Sequence, residues 1–131
     1  MELTPPINPE IKELWCRALE SEEYTQAGGR LRTDNGFCCL GVLSDLAIKA
    51  GVQEWVAEEG GGYGVSTSFG PRKTGTVSGE IQSWAGIKGS SADDPLVQIG
   101  PELCRLSCRL SFLNDTGYDF KTIAQIIREQ L

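Results

Sequence analysis

Two closely spaced arginines, Arg30 and Arg32, are the residues of this chain best suited to bind an anion. A guanidinium group pairs with a phosphate through two N–H donors, and a glycine backbone lets an anion approach closely. Gly28 and Gly29 directly precede the arginines, and the nearby ring of Tyr24 offers a flat surface for a nucleobase. The pattern predicts a site for a small anionic ligand, with a nucleotide as the favoured class. Solvated charges on an exposed hairpin are the alternative.

Polar side chains elsewhere in the chain complete the predicted ligand set. Asp45 lies on a predicted helix beside inward apolar positions, and Asn114 and Asp115 end a leucine-rich stretch. Such carboxylates and amides orient a ligand, but they are also common in turns and at helix ends. An ion pair from Asp45 or Asp115 to Arg32 is the structural alternative. The predicted ligand-binding residues are therefore Tyr24, Gln26, Arg30, Arg32, Asp45, Asn114 and Asp115.

The cysteines suggest two other kinds of chemistry. Cys38 and Cys39 lie where an extended segment enters a predicted helix, and the helix dipole activates a thiol at that position. The chain contains no histidine to serve as the general base, so we predict no catalytic residues and keep a cysteine-dependent enzyme as an alternative. Cys104 and Cys108 could form a zinc site together with Cys38 and Cys39. However, the adjacent Cys38 and Cys39 would point to opposite faces of a strand, which disfavours a tetrahedral site. We therefore predict no metal and no cofactor.

Composition limits the class of protein. The 131 residues fit one domain, 1–131, and an apolar share of 40% supports a real core. Acidic residues outnumber basic ones by 18 to 12, and the net charge of −6 disfavours general nucleic-acid binding. No apolar run approaches the length of a membrane-spanning helix, and the first ten residues carry no signal-peptide pattern. We expect an intracellular protein without membrane association.

Helical spacing of apolar residues runs through several segments of the chain. Asn8 before Pro9 has the signature of an N-cap, and Gly51 is suited to end a second helix over 39–50. Gly41 inside that helix predicts the close approach of another element, because glycine costs about 1 kcal/mol relative to alanine in a helix. Further helices are predicted over 78–85, 103–113 and 120–131, the last capped by Asp119.

Turn and strand signals complete the predicted fold. Asn35 and Gly36 lie between two β-prone runs, which predicts a β-hairpin near residues 30–38. Alternating apolar residues over 63–69 predict a short strand pair, and 96–99 has the composition of a strand. The fold class is therefore α+β, with about four helices packed on a small antiparallel sheet.

Two segments resemble those of a known group of proteins: FCCLGVL at 37–43 and LND at 113–115. They are similar to segments of small, uncharacterised proteins encoded by bacteriophages and prophages, and the likeness extends mainly over residues 11–51 and 110–128. This chain departs from that pattern at Ser44, where members often carry a second cysteine. The resemblance implies a phage accessory protein acting in the cytoplasm of the bacterial host, with counter-defence as a role by analogy.

Three functions follow from these observations. The first is a non-enzymatic binder that sequesters a small anionic ligand, a nucleotide signal of host defence. The second is a protein-binding inhibitor whose acidic surface occupies a basic groove on a host defence or nucleic-acid enzyme. The third is the cysteine-dependent enzyme acting through Cys38 or Cys39. A host protein or a second copy of the chain remains open as a partner.

Overall fold

A computed structural model of the chain describes residues 8–28, 30–58, 61–66, 77–87, 113–114 and 116–129 with their side chains, and the backbone alone of 97–99, 106–108 and 130. The helices of this described part are α1 (Pro9–Glu20), α2 (Cys39–Lys49), α3 (Gly79–Ala85) and α4 (Phe120–Gln130). Its strands are β1 (Trp55–Ala57), β2 (Tyr63–Val65), β3 (Val97–Ile99) and β4 (Leu106–Cys108). The predicted α+β class is confirmed.

Helix α1 packs against α4 and α2, and together they enclose the core. Its apolar residues Ile11, Trp15 and Leu19 recur every fourth position, so they form one buried stripe. The indole N–H of Trp15 donates to the carbonyl oxygen of Cys39 at 2.9 Å, which satisfies the only polar atom of that buried side chain. The side chain of Asn8 accepts from two backbone N–H groups of the first turn, and the predicted N-cap is confirmed.

Helix α2 begins immediately after the extended segment and lies against it. A Cβ atom at Gly41 would stand 1.7 Å from the carbonyl oxygen of Leu31, so only glycine fits there. This contact confirms the predicted close approach. Gly51 has a φ of 85°, in the left-handed region that glycine tolerates best, and it ends the helix as predicted.

Single residue bridges extend the β1–β2 pair into a wider ladder. Arg32 forms antiparallel bridges with both Tyr63 and Phe37, and Phe37 forms a parallel bridge with Gln26. The predicted hairpin is therefore a tight turn, closed by the bridge from Arg32 to Phe37 and by the Thr33 N–H donating to the Gly36 carbonyl at 2.7 Å. The pairing stays this short because α2 begins two residues after Phe37.

The later elements contain one correction. The leucine spacing over 103–113 predicted a helix, but Leu106–Cys108 is strand β4 and pairs antiparallel with β3. Backbone pairing with a neighbouring strand has overridden the helical spacing. The strand predicted at 96–99 is confirmed by β3. The helix predicted over 78–85 is α3, in which Ser78 is the N-cap and Gly86 ends the helix. Asp119 accepts the Thr122 N–H at 2.8 Å and caps α4.

No helix among the described residues has both the length and the apolar character needed to span a membrane. Part of the alternating segment predicted as strand, residues 67–69, lies outside the described residues. Cys104 also lies outside them, and of Cys108 only the backbone is described.

Candidate functional site

Cross-strand pairing brings one cation and several rings to the same face of the ladder. Residues directly opposite each other in antiparallel strands project their side chains to one side, and Arg32 stands opposite both Phe37 and Tyr63. The neighbouring side chains Leu31 and Cys38 alternate to the other side and are buried in the core. The local backbone therefore dictates that the Arg32 side chain lies between aromatic rings.

The guanidinium of Arg32 contacts three of those rings. Its Cζ atom lies 3.8 Å from the ring centre of Tyr63, 5.2 Å from that of Phe37 and 5.4 Å from that of Trp55. Tyr24 extends the row, with its ring centre 5.0 Å from that of Phe37 in an edge-on contact. Cations are attracted to such ring faces. We call this half-buried group of five side chains the aromatic face: Tyr24, Arg32, Phe37, Trp55 and Tyr63.

The donors of Arg32 have no partner within the described part of the chain. Among the residues that the structure describes, its guanidinium forms neither an ion pair nor a hydrogen bond. The ring contacts hold the plane of the group, while its five N–H donors lie at the edge of that plane. Arg32 thus combines a fixed position with hydrogen-bonding capacity that no described residue uses.

Arg30, the other arginine of the predicted pair, has a structural partner. Its Nη1 atom donates to the carbonyl oxygen of Gly61 at 2.8 Å, and the Gly62 N–H donates to Asp34 Oδ1 at 3.2 Å. Both contacts hold the turn between β1 and β2, where Gly62 has a φ of 73°. The two arginines therefore differ: one fastens this turn, and the other has open donors.

Asp45 accepts hydrogen bonds from two side chains of the aromatic face. Its two carboxylate oxygens accept the Tyr24 hydroxyl at 2.6 Å and the Trp55 indole N–H at 2.9 Å, and Lys49 Nζ lies 3.4 Å from Oδ2. The ion pair considered between Asp45 and Arg32 is therefore absent, because that carboxylate is committed to other donors. Burial raises the pKa of Asp45, but the hydrogen bonds and Lys49 outweigh burial and hold this pKa below its usual value. Burial and the bond to Asp45 raise the pKa of Tyr24.

Asn114 and Gln26 form an internal clasp. Asn114 Oδ1 accepts from the Cys39 N–H at 3.1 Å and from Gln26 Nε2 at 3.0 Å, while its own Nδ2 donates to the Ala27 carbonyl at 2.9 Å. Gln26 Nε2 also donates to the Tyr118 carbonyl at 2.8 Å. These bonds join the start of α2 to two loops, which is a structural use of both amides. Asp115 lies outside the described residues.

The cysteines considered for catalysis are enclosed. Cys39 is 0% exposed and Cys38 is 7% exposed, and the Cys38 Sγ accepts the Gly41 N–H at 3.3 Å as an N-cap. Burial raises the pKa of a third thiol, Cys16, to about 11. In the described part of the chain no three metal-binding side chains cluster. The arrangement gives neither Cys38 nor Cys39 access to a substrate.

Two concave regions adjoin these elements. The first, which we call the helix-end cavity, has a volume of about 650 Å³ and includes in its walls Ile48, Val52, Gln53, Glu54, Trp55 and Ser66. The second has a volume of about 620 Å³ and includes Gln26, Gly28, Asn114, Gly117, Tyr118 and Asp119. The predicted site residues thus divide: Gln26 and Asn114 line the second cavity, whereas Tyr24, Arg32 and Asp45 belong to or support the aromatic face.

Family comparison adds one finding to this geometry. A family model described as "Domain of unknown function (DUF8296)" matches residues 7–131. The chain belongs to this family. Comparison of this DUF8296 member with curated proteins and with solved structures gave no match. Membership assigns no activity, so the case for function depends on the side chains themselves.

Sequence reasoning missed three members of the aromatic face: Phe37, Trp55 and Tyr63. The sequence places Phe37 at the end of the predicted hairpin and Tyr63 in the strand pair predicted over 63–69, without linking either residue to Arg32. The available signal was the pair of aromatic residues, Trp55 and Tyr63, on either side of a glycine-rich turn. Nothing in the sequence indicates that this ribbon pairs with Arg32, because the pairing is a single long-range bridge.

Proposed function

We propose that this protein is a non-enzymatic binder of a small anionic ligand, a nucleotide, that contacts the aromatic face. In this proposal it is a phage accessory protein that acts in the cytoplasm of the bacterial host, where it sequesters a nucleotide signal of host defence. One observation carries the binding proposal. Arg32 is held against three rings, and no described side chain occupies its N–H donors.

The contrast with other basic side chains supports this assignment. Arg17, Lys49, Lys121 and Arg128 each lie within ion-pair distance of a carboxylate. Arg30 donates instead to a backbone carbonyl, whereas the guanidinium of Arg32 has neither a carboxylate nor a carbonyl partner among the described residues, although carboxylates are abundant in a chain of net charge −6. A phosphate that accepts two N–H donors from Arg32 would supply the missing anion.

The surrounding rings favour a ligand that has a flat part. Tyr24, Phe37, Trp55 and Tyr63 are all half-buried, so each presents part of its surface to solvent. Stacking of a base on an aromatic ring contributes about 1–3 kcal/mol and depends little on the base. A nucleotide supplies both a phosphate for Arg32 and a flat ring that can stack on one of these aromatic side chains.

The enclosed thiols favour binding over catalysis. A nucleophilic cysteine must reach its substrate as a thiolate, and neither Cys38 nor Cys39 has more than 7% of its surface exposed. The role in counter-defence rests on the resemblance of the segments 37–43 and 113–115 to phage and prophage proteins, and the host cytoplasm follows from that resemblance.

Isothermal titration calorimetry tests the proposal. The panel contains the four ribonucleoside 5′-monophosphates, a cyclic dinucleotide and ribose 5-phosphate, each titrated into the full chain. We expect at least one nucleotide to bind with a Kd below about 10 μM. Binding weaker than that across the whole panel, together with capture of a stoichiometric host protein from lysate, would replace a ligand binder with a protein-binding inhibitor.

A further inference from the structure

We infer that the helix-end cavity receives the base of the bound nucleotide and that Gln53 selects bases bearing an exocyclic amino group. This inference rests on the proposed function, because it assumes that the phosphate binds to Arg32. It adds a second part to the binding site and a specificity-determining residue that is not part of the aromatic face.

Trp55 connects the two parts of the site. Trp55 belongs to the wall of the helix-end cavity, and the Arg32 Cζ lies 5.4 Å from the centre of its ring. Trp55 therefore belongs to both parts of the site, and the inferred ligand passes along it, with its base in the cavity and its phosphate at Arg32. The cavity volume of about 650 Å³ falls within the usual range for small-molecule sites.

The walls of the cavity fit a base better than a phosphate. Ile48 and Val52 supply apolar surface for the face of a flat ring. Glu54 brings a carboxylate to the same cavity, and this charge repels a phosphate. The two charges thus orient the ligand, with its anionic group at Arg32 and its neutral ring in the cavity.

Gln53 belongs to the same wall, and its side chain carries a buried hydrogen-bond acceptor without a partner among the described residues. Its Oε1 is the one buried side-chain oxygen or nitrogen of the described residues that has no hydrogen-bond partner. Such an atom is rare in folded proteins and calls for a donor. The last torsion of a glutamine side chain is broad, so the carboxamide can turn its oxygen toward a ligand.

The chemistry of that oxygen defines the preferred base. The amino group of adenine or cytosine donates an N–H, whereas hypoxanthine and uracil carry a carbonyl oxygen at the equivalent ring position. Two facing oxygens repel, and a site built around a hydrogen bond rejects the analogue that lacks the donor. The expected order of affinity is AMP above IMP and CMP above UMP.

Calorimetry with these two pairs and with ribose 5-phosphate tests the inference. For the wild-type chain, we expect the amino-bearing nucleotide to bind about tenfold more tightly than its partner. Gln53→Met should abolish that preference and leave binding of ribose 5-phosphate unchanged. Gln53→Glu keeps an acceptor oxygen and should retain the preference, and Gln125→Met, on the exposed side of α4, serves as the control.

Thermal unfolding guards against a folding artefact. Because Gln53 Oε1 has no partner to lose, Gln53→Met should unfold at or above the wild-type Tm. Equal affinities within each pair for the wild-type chain, or a preference that survives in Gln53→Met, would overturn the inference. If all nucleotides bind no better than ribose 5-phosphate, the inference fails while anion binding at Arg32 stands. If no probe binds, both fail.

Discussion

Arg32 and Tyr63 are joined twice, once by backbone and once by side chain. The Tyr63 N–H donates to the Arg32 carbonyl at 3.1 Å, and the Arg32 Cζ lies 3.8 Å from the centre of the Tyr63 ring. The backbone bond fixes the register, and the register places the two side chains against each other. The guanidinium is thereby positioned by strand pairing, so little conformational entropy remains to be lost when an anion binds.

Replacing Arg32 by lysine separates charge from geometry. Lys keeps the positive charge but lacks the flat group that stacks on the rings and the paired donors that match a phosphate. We expect Arg32→Lys to weaken nucleotide binding by about tenfold in calorimetry. Arg17→Lys, on the exposed surface of α1, is the matched control and should bind as the wild type does. Equal affinity of Arg32→Lys and wild type would argue against a paired-donor contact.

Gly41 should tolerate no side chain. An alanine Cβ would stand 1.7 Å from the Leu31 carbonyl oxygen, which belongs to the segment that carries Arg32. We expect Gly41→Ala to lower the free energy of unfolding by about 3 kcal/mol in urea denaturation. At Gly79 nothing lies within 4 Å of the added Cβ, so Gly79→Ala should raise stability by about 0.5 kcal/mol. Similar stabilities for the two variants would contradict the close packing of α2 on this segment.

Asn114 should contribute to stability rather than to binding. Its Oδ1 accepts the N–H of Cys39, the first residue of α2, and Asn114→Ala would remove this acceptor from a buried donor. We expect a loss of about 1–3 kcal/mol in the free energy of unfolding. Asn35→Ala, in the exposed turn, is the control and should be nearly neutral. A stable Asn114→Ala variant that no longer binds nucleotide would instead make Asn114 a ligand contact.

Asp45 should make stability depend on pH in the acidic range. Its pKa is lowered in the folded protein, so it stabilises the fold above the usual carboxyl pKa and loses that effect as pH falls through its folded pKa. We expect Asp45→Asn to be about 1 kcal/mol less stable than wild type at pH 7. That difference should shrink in urea denaturation at pH 3. Glu23→Gln provides an exposed control, and a gap that widens at low pH would contradict the charged clamp on Tyr24 and Trp55.

The thiols should be unreactive in the folded protein. Because burial raises the pKa of Cys16 to about 11, its thiol stays protonated at pH 8, and Cys38 and Cys39 are shielded. We expect alkylation of these three residues, mapped by mass spectrometry, to follow unfolding in urea. Rapid modification of Cys38 or Cys39 in the native state would restore the cysteine-dependent enzyme as a candidate.

Local signals in the sequence predicted the helix ends well. Asn8 and Asp119 cap helices because a short polar side chain reaches the free N–H groups of its own first turn. Gly41 was also informative, since a glycine in a helix interior has a cost that another element must justify. These features depend on neighbours close in sequence, or on a residue type with one dominant physical use.

Long-range pairing escaped prediction. The leucine spacing over 103–113 is helical, yet β4 is held by backbone bonds to β3, a partner that no local pattern identifies. The aromatic face has the same origin, because a single bridge joins Arg32 to Tyr63. The two arginines of the predicted pair also have different roles, because Arg30 donates to the carbonyl oxygen of Gly61, a residue distant in sequence. Residue types therefore indicated the chemistry of the candidate site, while tertiary contacts determined which side chains it contains.

Nuclear magnetic resonance of the arginine side chains tests the central claim most directly. In ¹⁵N-labelled protein, the Nε–Hε signals are observed while AMP and, separately, pyrophosphate are added, and the Arg32→Lys variant assigns the Arg32 signal by its loss. Anion binding at the aromatic face predicts a saturable shift of the Arg32 signal, larger than that of Arg17 or Arg128. An Arg32 signal that stays in place with both probes, or that moves no more than those of the exposed arginines, would contradict it.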